Sequence, residues 1–127
     1  MNSIDNTPFG PESASAINTT EATKLAIYVG DSDRHGHKPL YHAIIELLRQ
    51  EGIAGATVLH GIEGYGTARH IHTAKILDLS QDLPVVIIAI DRAEKIEAIF
   101  PKVEAMVQHG LVTLERVRVA VSRPLPI

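Results

Sequence analysis

Apolar residues along this chain come in short bursts, and the spacing within each burst marks out the elements. Residues 24–30 (KLAIYVG) are a compact apolar run closed by Gly-Asp, the pattern of a buried strand. A polar loop, DSDRHGHK, follows. Pro39 suits the first helical position, where its missing N–H costs nothing. Leu40, Ala43, Ile44, Leu47 and Leu48 then recur at helical spacing up to a stop at Gly52. Residues 56–62 (ATVLHGI) predict a second strand. Residues 63–82 make the longest connection, glycine-led and polar, with a short extended piece expected at 75–79. Residues 84–90 (PVVIIAI) are apolar on both alternations, which predicts a strand buried on both faces. Asp91 and Glu94 are spaced as a capping box for a second helix. Its stripe is Ala93, Ile96, Ile99, Phe100, Val103, Met106 and Val107, with Gly110 beyond the end. Pro101 inside that stripe predicts a kink or break near Ile99. Residues 111–121 alternate as a last strand, and the adjacent polar pair Glu115 and Arg116 predicts a bulge.

The order is β-α-β-β-α-β. Two helices with one apolar stripe each can cover one face of a four-stranded antiparallel sheet. The expected fold is therefore α+β, ferredoxin-like. The domain is placed at residues 23–121. A disordered tail is expected over 1–22, which has no helical or strand period, and a C-terminal extension over 122–127. Strands apolar on both alternations would leave a bare apolar sheet face on a monomer. A homo-oligomer with packed sheet faces follows from that.

Composition narrows the function classes. The 127 residues are 45% hydrophobic and include no cysteine, which excludes a disulfide framework, a Cys-rich zinc site and a cysteine nucleophile. A net charge of −3 and an aromatic fraction of only 4% speak against nucleic-acid binding. No apolar stretch approaches a membrane span, and the first residues have neither a basic start nor an apolar core, so no secretory signal is read and a cytoplasmic protein is expected. Seven histidines are the unusual feature.

Four patterns could carry chemistry. Gly61-Ile62-Glu63-Gly64-Tyr65-Gly66 would let backbone N–H groups approach an anion, or form a plain turn at a strand end. Arg69 could fork onto a phosphate or carboxylate, and His70 and His72 would share one face of an extended chain, as a metal pair needs. Arg34, His35, His37 and Lys38 precede the first helix, where an anion or a simple polar loop would both be served. Arg116 and Arg118 point to one face of the last strand and could clamp a phosphorylated ligand at a subunit boundary or make cross-strand ion pairs. No nucleophile signature and no phosphate-loop motif is present, so no catalytic residue is assigned and an enzyme is not expected.

A resemblance rests on GIEGYGTARHIHTAKILDLSQDLPVVIIAID and on HKPLYHAIIELLRQEGIAGATVLHGIEGYG before it. The marks are GYG, the IHT after it, LS-x-DLP and the VVI strand. They resemble the PII-like signalling proteins, a family long catalogued as a domain of unknown function and related to nitrogen regulatory protein PII. The likeness covers essentially the whole folded part. It implies a ferredoxin-like subunit in a compact homotrimer. PII proteins bind adenine nucleotides in clefts between subunits and contact target proteins through the long loop after the second strand. By that comparison Thr57, Gly64, Gly66 and Arg69 would line the cleft, and Arg116 and Arg118 look like the basic pair on the last strand of PII proteins. Two departures bear on the ligand. The link His109-Gly110-Leu111 lacks the lysine of the second PII phosphate loop, and no tyrosine follows Gly66 to be modified. A monophosphate, a dinucleotide or an inorganic anion therefore stays open beside a triphosphate.

The leading expectation is a non-enzymatic regulatory trimer that senses a small anionic ligand. It would signal through residues 63–82 to a partner, a membrane transporter or an enzyme. The alternative is a metal-binding trimer similar to the CutA proteins, with His35, His37, His70 and His72 as ligands. A small histidine-dependent enzyme of the dimeric α/β-barrel kind and an RNA-binding module rank below both.

Overall fold

The computed structural model describes residues 17–65, 72–73 and 82–124, with backbone alone at 72 and 73. Its strands are β1 (Thr20–Gly30), β2 (Arg34–His35), β3 (Lys38–Pro39), β4 (Ala56–His60), β5 (Glu63–Gly64), β6 (His72–Thr73), β7 (Pro84–Asp91) and β8 (Leu111–Val119). Its helices are α1 (Leu40–Gln50), after β3, and α2 (Ala93–Met106), after β7. The main sheet has the order β4-β7-β1-β8, and every pair in it is antiparallel. With two helices on one face, this is the ferredoxin-like fold the sequence predicts.

The register decides what each strand buries. Leu25, Ile27 and Val29 of β1 and Val85, Ile87 and Ala89 of β7 meet Leu40, Ile44 and Leu48 of α1 and Ile96, Ile99 and Val103 of α2 in one core. The other face of the sheet has no layer over it among the described residues. There Leu59 lies beside Val86, Val86 beside Tyr28, and Tyr28 beside Leu111, an apolar row across all four strands. Leu59, Tyr28 and Leu111 are 51%, 41% and 55% exposed. β7 is thus buried on its helix side, with Ile90 exposed on the other, rather than buried on both faces within one chain.

Helix α1 ends as its sequence dictates. Gly52 takes φ 82°, its N–H reaches the Arg49 carbonyl, and Ile53 N–H reaches that of Leu48. This is a Schellman closure, and its apolar clasp is the buried pair Leu48 and Ile53.

Several local expectations are corrected. Strand β1 starts at Thr20, so residues 20–22 belong to the sheet rather than to a tail: they continue the β8 ladder as far as Thr20 opposite Val119. Of the rest of the proposed tail, residues 17–19 precede β1 without regular structure and residues 1–16 lie outside the described residues, as does the extended piece at 75–79. The loop DSDRHGHK contains the small β2–β3 hairpin, and Pro39 is the N-cap of α1 instead of its first helical residue. Asp91 forms no capping box, because Arg92 is the N-cap of α2; its carboxylate accepts from Arg92 N–H and reaches across to Ala54 N–H. Pro101 lies inside an uninterrupted α2, held by the buried Ile96, Ile99 and Val103 around it. The β1–β8 ladder runs without a bulge, so Glu115 and Arg116 simply occupy opposite faces.

Candidate functional site

The glycine pattern sits where β4, β1 and β7 meet one end of the sheet. Gly61 N–H donates to the Pro84 carbonyl at 2.7 Å. A Cβ at Gly61 would stand 2.6 Å from the proline ring, and one at Gly64 would stand 3.0 Å from it. The glycines therefore allow the chain leaving β4 to lie against the start of β7. Beyond that contact, Glu63 and Gly64 pair with Thr73 and His72. At Gly61 and Gly64 the pattern is a close backbone approach to Pro84.

Two carboxyl groups cross between β1 and β7 at the same end. Asp31 N–H donates to the Leu83 carbonyl at 2.9 Å, and the Asp31 carboxyl accepts from Leu83 N–H at 3.2 Å. The Asp82 carboxylate accepts from Ser32 N–H at 2.9 Å. Burial and a side-chain hydrogen bond to Asp82 push the Asp31 carboxyl above the usual range, and the hydrogen bond from Leu83 and the nearby His60 only partly offset this. His60, at the end of β4, meets the Tyr41 ring of α1 edge-on at 5.3 Å. Sequence reasoning missed this pair. Its signals were the Gly-Asp that closes the first strand and the Asp of LS-x-DLP, but nothing in the spacing says that they meet.

The arginine pair lies elsewhere. Arg116 stands opposite Thr23 and Arg118 opposite Glu21, near the beginning of β1, whereas Gly64 packs on Pro84 opposite Gly30. The separation along the strands is about 23 Å for Arg116 and about 30 Å for Arg118. Arg116 is exposed; Arg118 is half-buried, and its Nε donates to the Thr19 hydroxyl at 3.2 Å. Thr57 is exposed on the open face, opposite Ile88. One chain thus separates Gly64 from Arg116 and Arg118. Gly66, Arg69 and His70 lie outside the described residues.

His35 and His37 belong to the β2–β3 hairpin, beside α1. Lys38 ties that hairpin to Glu46 at 2.6 Å, and its ammonium holds the Glu46 carboxyl below the usual range. His72 is placed by its backbone opposite Gly64. Among the described residues no three His, Cys, Asp or Glu side chains gather as a cation would require.

At the far end of β7, Asp91 has the opposite character. Burial pushes its carboxyl up, but the N–H groups of Arg92 and Ala54 and the ammonium of Lys95 at 3.7 Å outweigh that and hold it below the usual range.

The family DUF190, described as "Uncharacterized ACR, COG1993", matches residues 22–119. The chain belongs to this family. It is 36% identical over 95 residues to a UPF0166 protein of Aquifex aeolicus (strain VF5), covering 75% of this chain and 90% of that protein. It is 38% identical over 95 residues to UPF0166 protein MJ1524 of Methanocaldococcus jannaschii, covering 74% and 87%. Among solved structures it shares its fold with CPII of Thiomonas intermedia K12, a nitrogen regulatory PII-like protein bound there to ADP, AMP and bicarbonate. That match has a TM-score of 0.57 at 23% identity and covers 83% of this chain and 93% of CPII. The divalent ion tolerance protein CutA1 of Ehrlichia chaffeensis has the same fold, with a TM-score of 0.53 at 13% identity and coverage of 80% and 84%. These likenesses establish the family and a PII-like fold for this DUF190 chain. No helix among the described residues is long and apolar enough to cross a membrane.

Proposed function

We propose that this DUF190 chain is a non-enzymatic, PII-like regulatory subunit that works in the cytoplasm as a homotrimer. It holds a small anionic ligand of the adenine-nucleotide class in clefts between subunits. It signals to a partner, a transporter or an enzyme, through the connection over residues 63–82. The observation that carries this reading is the uncovered apolar row of Leu59, Val86, Tyr28 and Leu111. Such a row favours burial against further copies of the chain. The separation of about 23–30 Å between Gly64 and the arginine pair supports the same reading, because a cleft using both ends needs two chains. CPII, with the same fold, binds ADP and AMP. Thr57, Gly64, Gly66 and Arg69 from one subunit and Arg116 and Arg118 from a neighbour are the proposed ligand contacts.

Native mass spectrometry and calorimetry with AMP, ADP, ATP and bicarbonate test this directly. The expected result is a trimer that binds at least one adenine nucleotide, with affinity falling about tenfold or more in Arg116→Ala or Arg69→Ala, as for a lost charged hydrogen bond. A monomer at micromolar concentration, or a trimer indifferent to every ligand in the panel, sinks the proposal. The metal-binding alternative has the CutA1 fold behind it, but no gathered donor set among the described residues.

A further inference from the structure

We propose that Lys24 and Glu115 are the recognition pair by which the uncovered sheet face selects a second copy of this chain, the lysine of one copy meeting the glutamate of the next. Antiparallel register decides which side chains share that face. Among the described strand residues of the main sheet that do, Lys24 and Glu115 are the only charged ones. Arg116 and Arg118, opposite Thr23 and Glu21, belong to the other face. The two charges stand side by side. Lys24 has Glu115 on one flank and Ile90 on the other, and its ammonium is 3.9 Å from the carboxylate. Ala22 and Ala26, next along the same face of β1, are buried. Their short side chains leave Lys24 standing clear of its own strand, where a group on another copy can reach it. In a free chain water screens such a pair, and it contributes little. Once the face is covered the pair becomes decisive, because a charge taken out of water is costly unless an opposite charge meets it.

The charge pattern names the occupant. A lipid surface or a wholly apolar partner would leave both charges desolvated. A polyanion would find no excess of positive charge on the face. A second copy brings the same lysine and the same glutamate, so each charge gains an opposite one, and around a closed ring of copies the signs alternate. The apolar row of Leu59, Val86, Tyr28 and Leu111 supplies attraction without direction. The pair supplies the direction, since any offset that sets Lys24 against an apolar side chain of the neighbour leaves it desolvated and alone. This inference rests on the assembly proposed above and adds what selects the partner and fixes its register.

Charge reversal in the full chain tests it, read by native mass spectrometry and sedimentation over a concentration series. Lys24→Glu makes both positions acidic, and Glu115→Lys makes both basic. Each variant is expected to assemble about tenfold or more weakly than the wild type, as for a charge buried without its opposite. Mixed together, with one of them isotopically labelled, the two should co-assemble, with oligomers containing both chains in excess of those of either alone. The double variant Lys24→Glu/Glu115→Lys should recover most of the wild-type assembly. Circular dichroism reports whether each chain is folded. Lys24→Met and Glu115→Gln, which strand one charge without adding repulsion, carry the same expectation and replace any reversal variant that does not fold. Folded single variants that assemble as strongly as the wild type overturn the proposal. So does a mixture that gains nothing over its components, or a double variant as weak as the singles. A monomeric wild type overturns the trimer reading together with this one, whereas an assembled wild type indifferent to reversal overturns the pairing alone.

Discussion

Strand β7 starts and finishes on an aspartate neighbourhood, and the two are built in opposite senses. At its end, Asp91 is one-tenth exposed, accepts N–H bonds from Arg92 and Ala54 and lies 3.7 Å from the Lys95 ammonium. Lys95 also donates to the Gly52 carbonyl at 2.5 Å, so one ion pair braces the α1–β4 link to α2. At the beginning of β7, burial and the neighbouring Asp82 carboxyl displace the Asp31 carboxyl upward. The closed end stabilises the charged form of its acid, and the other end stabilises a neutral one. A carboxylate with several donors is a structural pin. A carboxyl that is part-buried beside a second carboxyl is displaced the other way, because its charged form is opposed.

The largest effect is expected at the pin. Asp91→Ala removes two charge-assisted hydrogen bonds and leaves Lys95 without its carboxylate, a loss of about 3 kcal/mol by urea unfolding at neutral pH. Asp31→Ala at the same pH should cost far less, because its surroundings already oppose the charged form of Asp31. Equal losses at the two positions would erase the distinction between the ends.

Next comes the glycine contact at the start of β7. Gly61→Ala places a methyl within 2.6 Å of the Pro84 ring, which cannot swing away as a flexible side chain would. It should destabilise by about 1–3 kcal/mol, measured as a lower urea midpoint at unchanged slope. Gly55→Ala meets nothing within 4 Å and is the control. A Gly61→Ala variant as stable as that control would mean that the close approach is not needed.

Smaller, but more diagnostic, is the sign of the pH dependence. The Asp91 carboxyl lies below its ordinary value, so its stabilisation is present above the ordinary carboxylate midpoint and is lost as pH falls through its own lower midpoint. The Asp31 carboxyl lies above its ordinary value, so its contribution is complete at low pH and is lost as pH rises through the displaced midpoint. Asp91→Asn should therefore flatten the acid limb of the stability profile, and Asp31→Asn the opposite limb. Two variants that flatten the same limb would contradict the assignment.

How far these ends could be read in advance differs element by element. The helix stripe of Leu40, Ile44 and Leu48 and the stop at Gly52 are local patterns, and the structure keeps them. The apolar alternation of residues 84–90 shows that β7 can face two layers, but the described residues supply only one of them. Asp91 was visible as a helix-start residue, but its bond to Ala54 depends on a contact 37 residues away. The Asp31–Asp82 crossing was invisible for the same reason, since antiparallel register alone places Gly30 opposite Pro84. Arg116 and Arg118 were legible as a same-face pair, yet their distance from Gly64 follows from the strand order, which no spacing encodes.

The smallest effect on folding is expected at Lys24, and it separates the two faces of the sheet as the preceding tests separate its ends. Lys24 lies opposite Ile90 and Glu115 on the uncovered face, and its ammonium is 3.9 Å from Glu115. With side-chain exposures of 35% and 67%, the pair is solvated in a single chain. Such a pair contributes about 0–1 kcal/mol, so Lys24→Ala should barely move the unfolding midpoint of dilute protein. Packing of this face against further copies would change the result. Glu115 would then be desolvated without a partner, and a buried charge left alone is costly where an exposed one is not. Lys24→Ala is accordingly expected to weaken assembly about tenfold or more in a concentration series while leaving the subunit's own stability nearly intact. An assembly indifferent to this substitution would mean that the subunits meet away from Lys24, and the apolar row beside it would then need another occupant.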